Sequence, residues 1–347
     1  MARRLADVAK YAGVHEATVS RVLNSKPGMS EATRERVLSA LDVLGYERPT
    51  QLRRESARLV ALMLPELQNP TYPVYAEVAA DALAKRGFSP VLCTRTTAGV
   101  SEASYVDMML ERHVSGFIFF GGQCHEADAE HEHYHRLRER GVPAVLVNAA
   151  CEGLGFPRVV VDDAHAIDLA LRHLRSLGHE CIGITLGPHD HVPSARKLSA
   201  WHDRGQTDPD LVERTTFSLT GGEAAGKRLL RRGATGIICA SDMLALGVIR
   251  VARRQGLEVP DDVSVIGFDG SLFTSFTDPP LTTVRIPIEE IAQAAVTLLA
   301  GAINSPIALS NDDESLFEPE LVVRRSTGPP PQQPDSAPLK TSRHAVT

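Results

Sequence analysis

Apolar positions repeat along this chain in two different rhythms. Near the start, Leu5, Val8, Ala9 and Ala12 fall at helical spacing, and Val14, Val19, Val22 and Leu23 repeat the pattern on a second segment. Gly13 stands between them, where a positive φ lets one helix stop and the chain turn. Ala17, Thr18 and Ser20 leave the second segment an outward face of small groups, with Arg21 beside it. A third stripe, Val37, Leu38, Leu41 and Leu44, comes after Ser30, a natural N-cap, and stops at Gly45 and Pro49. The spacing predicts three short helices, read either as a helix-turn-helix or as an ordinary helical hairpin in a core.

From Arg58 the rhythm changes. Short apolar runs (59–64, 90–93, 116–120, 144–147, 181–186, 236–239 and 263–268) alternate with amphipathic stretches near 74–86, 102–112, 130–140, 163–177, 222–232 and 242–255. Runs without polar alternation are strands buried on both faces, so the pattern predicts an α/β class with parallel sheets. Seven such strands fit two doubly wound halves. Ligands in these folds sit beyond the carboxyl ends of the strands. The end, from Ser326, is Pro-rich and polar without apolar period, and is expected to be disordered.

Charge sharpens the first segment. The 347 residues carry a net charge of −6, but residues 1–60 hold 11 Lys+Arg against 7 Asp+Glu, a net of +4. A basic head on an acidic body suits a phosphate-binding module joined to a domain that does not bind nucleic acid. No apolar run reaches 18 residues and the start lacks a secretory apolar core, so a cytoplasmic chain with no membrane partner is expected. The five cysteines are scattered without C-x-x-C, which fits reduced thiols.

Asp7-Val8-Ala9, Ala12-Gly13-Val14, Thr18-Val19-Ser20-Arg21-Val22-Leu23-Asn24, Ser30-Glu31-Ala32-Thr33-Arg34 and Leu44-Gly45-Tyr46 stand in the order and spacing of the LacI/GalR family of bacterial transcription regulators. The chain resembles that family to about residue 327, and within it looks most like actinobacterial regulators of maltose and malto-oligosaccharide operons. The resemblance implies a helix-turn-helix head at 1–46, a hinge at 47–57 and a periplasmic-binding-protein-like core at 58–327. It divides the core into an N-lobe of about 58–159 plus 289–327 and a C-lobe of about 160–288. Residues 328–347 are left as a disordered tail. The tail carries no heptad, so a homodimer is expected, each pair engaging a pseudo-palindromic DNA operator. A repressor of carbohydrate-utilisation genes, controlled by a small sugar and using neither cofactor nor catalysis, is the implied function.

At DNA the resemblance points to Leu5, His15, Glu16, Ala17, Thr18, Ser20, Arg21, Asn24 and Arg34, with Leu52 as minor-groove wedge or plain tether. Glu16 can accept from cytosine N4 and the Ala17 methyl can meet thymine; Thr18, Ser20, Arg21, Asn24 and Arg34 suit phosphate and register, while His15 stands where the family usually has a serine and is left between helix cap and backbone contact. The linker departs from the family, lacking its Ala-Arg-x-Leu and being about three residues short. For the effector it points to Tyr72, Asn148, Arg196, Lys197, Ser241, Asp269 and Ile288. Acidic and amide groups with aromatic cover suit a neutral polyol. Ser241-Asp242 also reads as a helix cap, and Asp269 as a turn residue. The family's Arg-Leu-Ala-Gly-Phe appears as Lys197-Leu198-Ser199-Ala200-Trp201, which leaves open whether Arg196 or Lys197 reaches the cleft.

Two motifs suggest other chemistry. Gly221 to Lys227 matches G-x-x-x-x-G-K, but Arg228 stands where a Ser or Thr should ligate Mg²⁺, so packing glycines are the better reading. His131 and His135 share a helical face and, with Asp128 or Cys124, offer an alternative as a metal-responsive regulator.

Overall fold

The computed structural model describes residues 5–23, 29–44, 58–95, 99–149, 154–304 and 313–331. Helices α1 (Leu5–Ala12), α2 (Glu16–Leu23) and α3 (Glu31–Val43) form the head. Gly13, at φ 65°, closes α1: its N–H reaches the Lys10 carbonyl at 3.4 Å and the Val14 N–H that of Ala9 at 3.0 Å. These two bonds satisfy the last carbonyls of the helix and turn the chain into α2. Val8, Val19, Val22, Val37 and Leu41 bury completely or nearly so between the three helices. The stripe read from the sequence is therefore the head's core.

The rest is two parallel sheets. The N-lobe sheet holds β1 (Leu59–Leu64), β2 (Ser89–Thr94), β3 (Gly116–Phe119), β4 (Ala144–Val147), β5 (Arg158–Val161) and β11 (Glu314–Phe317), in the order β11-β5-β4-β3-β1-β2. The C-lobe sheet holds β6 (Ile182–Leu186), β7 (Val212–Arg214), β8 (Gly236–Cys239), β9 (Ser264–Asp269), β10 (Thr282–Arg285) and β12 (Glu320–Val322), in the order β12-β10-β9-β8-β6-β7. Among the described strands, only β12 runs antiparallel to its neighbour. Helices α4 (Thr71–Ala84), α5 (Glu102–Glu111), α6 (Glu132–Glu139) and α11 (Ile288–Asn304) belong to the first lobe. Helices α7 (Asp163–Ser176), α8 (Val192–Asp203), α9 (Leu219–Arg231) and α10 (Asp242–Arg254) belong to the second. Strands such as Ala144–Val147 and Gly236–Cys239 are buried at every position, as their unbroken apolar runs require.

Two expectations change. The chain passes between lobes after β5, after β10 and after β11, so β12 and the residues beyond it belong to the C-lobe and not to the N-lobe. The stretch from Ser326 to Pro331 is ordered. Ser326 is fully buried, its Oγ donating to the Val265 carbonyl at 2.6 Å, and the Gly328 carbonyl lies 2.9 Å from His179 Nε2. A Pro-rich segment needs no apolar period when its carbonyls are captured one by one. A third expectation stands: Gly222 of α9 is a packing glycine, since a Cβ there would lie 2.3 Å from the Leu244 carbonyl of α10. Residues 332–347, the hinge 47–57 with Leu52, and Asn24 lie outside the described residues.

Candidate functional site

On the head, His15, Glu16, Ala17, Ser20 and Arg21 are exposed along one side of α2 and its entry, while Thr18 and Arg34 are half-buried. The His15 carbonyl accepts from the Thr18 and Val19 N–H groups, opening the helix. Leu5 is half-buried, its side chain packing against the head's core.

The second site lies between the lobes, where the carboxyl ends of both sheets face each other. An open cleft of about 890 Å³ narrows to an inner chamber of about 100 Å³. Glu66, Tyr72, His125, His191 and Phe217 line both parts. Asn148 ends β4 at φ 56° and Asp269 ends β9 at φ 111°. A non-glycine residue at such angles is held there by its surroundings, and both side chains line the chamber. Asn148 is partly committed, since its Oδ1 accepts from the Val161 N–H at 2.9 Å.

Asp269, like Thr71 and Tyr75 beside it in the chamber, keeps one polar atom unsatisfied. Its Oδ2 is buried and has no hydrogen-bond partner among the described residues. Burial, then the charge of Asp242, pushes its carboxyl well above the usual range, with Lys197 opposing. Asp242 itself does not cap its helix. Ser241 does, accepting from the Leu244 N–H at 3.2 Å, while Asp242 takes the Ser271 N–H at 2.8 Å and the Thr283 hydroxyl at 2.6 Å. Asp242 thus braces the turn after Asp269, and Ser241 caps while also lining the chamber.

The question left open at 196–197 resolves to Lys197. It is 5% exposed, lines the chamber, sits 4.0 Å over the Phe268 ring and pairs with Asp163. Arg196 is half-buried outside the chamber lining, its guanidinium donating across the lobes to the Ala149 carbonyl at 3.3 Å. Ile288 also departs from expectation: it packs on the N-lobe core, and Ile286 lines the chamber instead.

Sequence reasoning missed several lining residues. Glu66 and Asn69 follow β1, so strand-end logic reaches them; Asp163 follows β5, a strand not read as one. His125 and His191 meet across the cleft with ring centroids 5.6 Å apart at 78°, and His191 meets Phe217 at 4.9 Å. A backbone bond from the Ala127 N–H to the Asp190 carbonyl, 2.8 Å, ties the lobes at this edge. Behind it Glu102, 6% exposed, accepts from the Gln123 N–H at 3.1 Å and the Tyr134 hydroxyl at 2.5 Å, with His133 Nε2 at 2.9 Å.

These contacts correct the metal-responsive alternative. His133 is engaged with Glu102, and His131 lies 3.0 Å from the Gln123 carbonyl. Among the described residues no group of three or more His, Cys, Asp or Glu side chains is placed to hold a metal ion. No helix among them is long and apolar enough to cross a membrane.

Two family models match the chain. Residues 4–49 match the model of bacterial regulatory proteins of the lacI family, and residues 171–327 that of the periplasmic binding protein-like domain. The chain is 47% identical to the HTH-type transcriptional regulator MalR of Streptomyces coelicolor, over 95% of this chain and 98% of that one. Among solved structures, the lac repressor dimer bound to operator and the anti-inducer ONPF matches with TM-score 0.73 and 26% identity, over 94% of this chain and 99% of that one. The transcriptional regulator CelR–cellobiose complex matches with TM-score 0.68 and 31% identity, over 93% and 99%.

Proposed function

This chain belongs to the LacI family of bacterial regulatory proteins, and from that premise we propose that it is a sequence-specific, DNA-binding repressor of carbohydrate-utilisation genes. It acts as a cytoplasmic homodimer whose operator affinity is set by a sugar held between the lobes. The carrying observation is the union in one chain of an exposed helix face, Glu16 to Arg21, with a cleft whose buried Asp269 Oδ2 has no partner among the described residues.

Two heads meet a pseudo-palindromic operator, each placing α2 in a major groove. Glu16 and Ala17 choose bases, while His15, Thr18, Ser20, Arg21 and Arg34 hold phosphate and register. In the core, Asp269 accepts sugar hydroxyls, Asn148, Ser241 and Lys197 complete the polar set, and Tyr72 gives flat cover. A buried acceptor oxygen left without a donor is costly, and a hydroxyl donor from the ligand relieves that cost.

A sugar that binds the closed lobes better than the open ones shifts that equilibrium by its differential affinity alone, typically about 1–3 kcal/mol of coupling. The shift alters how the two N-lobes pack and releases the hinges, so the heads separate. MalR of Streptomyces coelicolor and the cellobiose complex of CelR support the carbohydrate reading.

The test is a gel shift on DNA from upstream of the protein's own gene, with salt and sugars varied. Preference for that fragment over bulk competitor, relieved by one sugar of a panel, is expected. No preference for any genomic fragment, or a monomer at working concentration, overturns the proposal.

A further inference from the structure

Two imidazoles, one from each lobe, stand where the outer cleft narrows into the chamber. His125 of the N-lobe places its Nε2 2.9 Å from the Val147 carbonyl. A carbonyl only accepts, so Nε2 carries the proton and Nδ1 is a bare acceptor. His191 of the C-lobe caps α8: its Nδ1 accepts from the Ser194 N–H at 3.2 Å and lies 2.9 Å from the Ser194 hydroxyl. A ring nitrogen that accepts has no proton, so His191 carries its proton on Nε2. Among the described residues, no protein group takes His125 Nδ1 or His191 Nε2.

Both rings are fixed before any ligand arrives. The cap holds one, and the other rides on the turn that Glu102 grips through the Gln123 N–H. Both are also neutral. Burial lowers each; the Val147 bond, Glu102 and Asp163 oppose at His125 without reversing it, while His125, Lys197 and Arg214 add to the lowering at His191.

We propose that His125 and His191 form a specificity-determining pair that reads a single hydroxyl of a neutral polyol. The hydroxyl donates to His125 Nδ1 and accepts from His191 Nε2–H. A hydroxyl is the group that needs both. An ether or ketone leaves the acceptor unused, a carboxylate meets its lone pair, and an ammonium finds no charge. Because each lobe supplies one nitrogen, the contact exists only when the lobes are closed, and it couples recognition to closure. The inference rests on the carbohydrate-effector reading and deepens it.

Amide substitutions separate the two ends of each ring. In H125Q the amide keeps the Val147 bond and gives up the Nδ1 position; in H191N it keeps the cap and gives up Nε2–H. H125N and H191Q do the reverse. Titration calorimetry on the full chain uses maltose, cellobiose and ribose, then the monodeoxy series of whichever binds. H125Q and H191N are expected to bind the parent sugar roughly tenfold more weakly. One monodeoxy analogue that costs the wild type a similar factor costs these two variants nothing further. H125N and H191Q lose thermal stability yet keep that deoxy penalty, which a purely structural role would not produce. Undiminished binding in H125Q and H191N, or a deoxy penalty that persists in them, overturns the pair while leaving the effector reading intact. A wild type that binds none of the three sugars overturns the effector reading and this inference with it.

Discussion

Lys197 holds its ammonium 4.0 Å above the centre of the Phe268 ring while pairing with Asp163, and both charged side chains are less than a tenth exposed. The pair joins α8 to the start of α7 at the floor of the cleft, so its loss reaches both stability and ligand. Removing one partner of a buried pair strands the other, which costs about 3–5 kcal/mol. K197M is therefore expected to unfold about 3 kcal/mol more easily in urea, and K197M/D163N to recover at least half of that. A double variant as unstable as the single would show that the pairing is not what is lost.

Asp269 works in the opposite direction. Its carboxyl is raised by burial and by Asp242, so the ionised form costs stability near neutral pH. D269N removes that charge at nearly constant shape. The variant is expected to melt at the same or a higher temperature while responding to sugar at least about tenfold more weakly, the scale of one hydrogen bond to a charged group. Operator release measured against sugar concentration checks it, and an intact response removes Asp269 from the site.

At the head, Arg21 is exposed beside the recognition face. Arg21→Ala is expected to weaken binding to all duplexes alike and to lower the slope of log K against log salt by about 0.9. Fluorescence anisotropy on operator and random duplex measures both. A slope that stays put would argue against phosphate contact.

Acid should loosen the cleft through His191. Burial, followed by His125, Lys197 and Arg214, pushes its imidazole down to about 2, far below an ordinary histidine. The unfolded chain takes up that proton below about pH 6.5 and the folded chain does not. Its contribution is complete above that pH and is lost as pH falls toward 2. His125, His173 and His179 shift the same way, while Asp242 and Asp269, raised by burial, gain as they take up protons. The comparison is therefore between variants. From pH 7 to pH 5 the wild type should lose about 2 kcal/mol more in urea melts than H191N. Parallel losses would place the acid sensitivity elsewhere.

The glycines that mimic a nucleotide loop can be tested through packing. Gly222→Ala would drive a methyl into the Leu244 carbonyl, a backbone atom that cannot swing aside. Overpacking of this kind costs typically about 1–3 kcal/mol. A neutral effect on thermal melting would mean that α9 and α10 separate freely.

What could be read from the residues depended on how local the cause was. Gly13 and the valines of the head act within a few positions, and the fully apolar runs announce central strands without help from neighbours. The edge strands β11 and β12 do not. Glu320–Val322 and Glu314–Phe317 are short and polar because only one partner covers them, so periodicity passes over them. Arg158–Val161 escapes the pattern although it is apolar, being only four residues after a proline. The site divides in the same way. Asn148 and Asp269 follow strands, so topology exposes them, whereas His125 and His191 occupy turns 66 positions apart that only the docking of the lobes unites. Ile286 in place of Ile288 is a two-residue register error that no pattern would have flagged. Ser326 and Gly328 belong to this class too, since their partners lie on distant strands and turns.

The return of the chain to the C-lobe after α11 and β11 has a bearing on how the protein is made. Synthesis reaches the edge strand β12 and the clasp of Ser326 and Gly328 after every other described strand and helix. On the ribosome the second lobe therefore waits, one strand short, until α11 and β11 of the first lobe have emerged. The head is complete long before that, so a DNA-reading surface exists in the cell before the part that is to govern it.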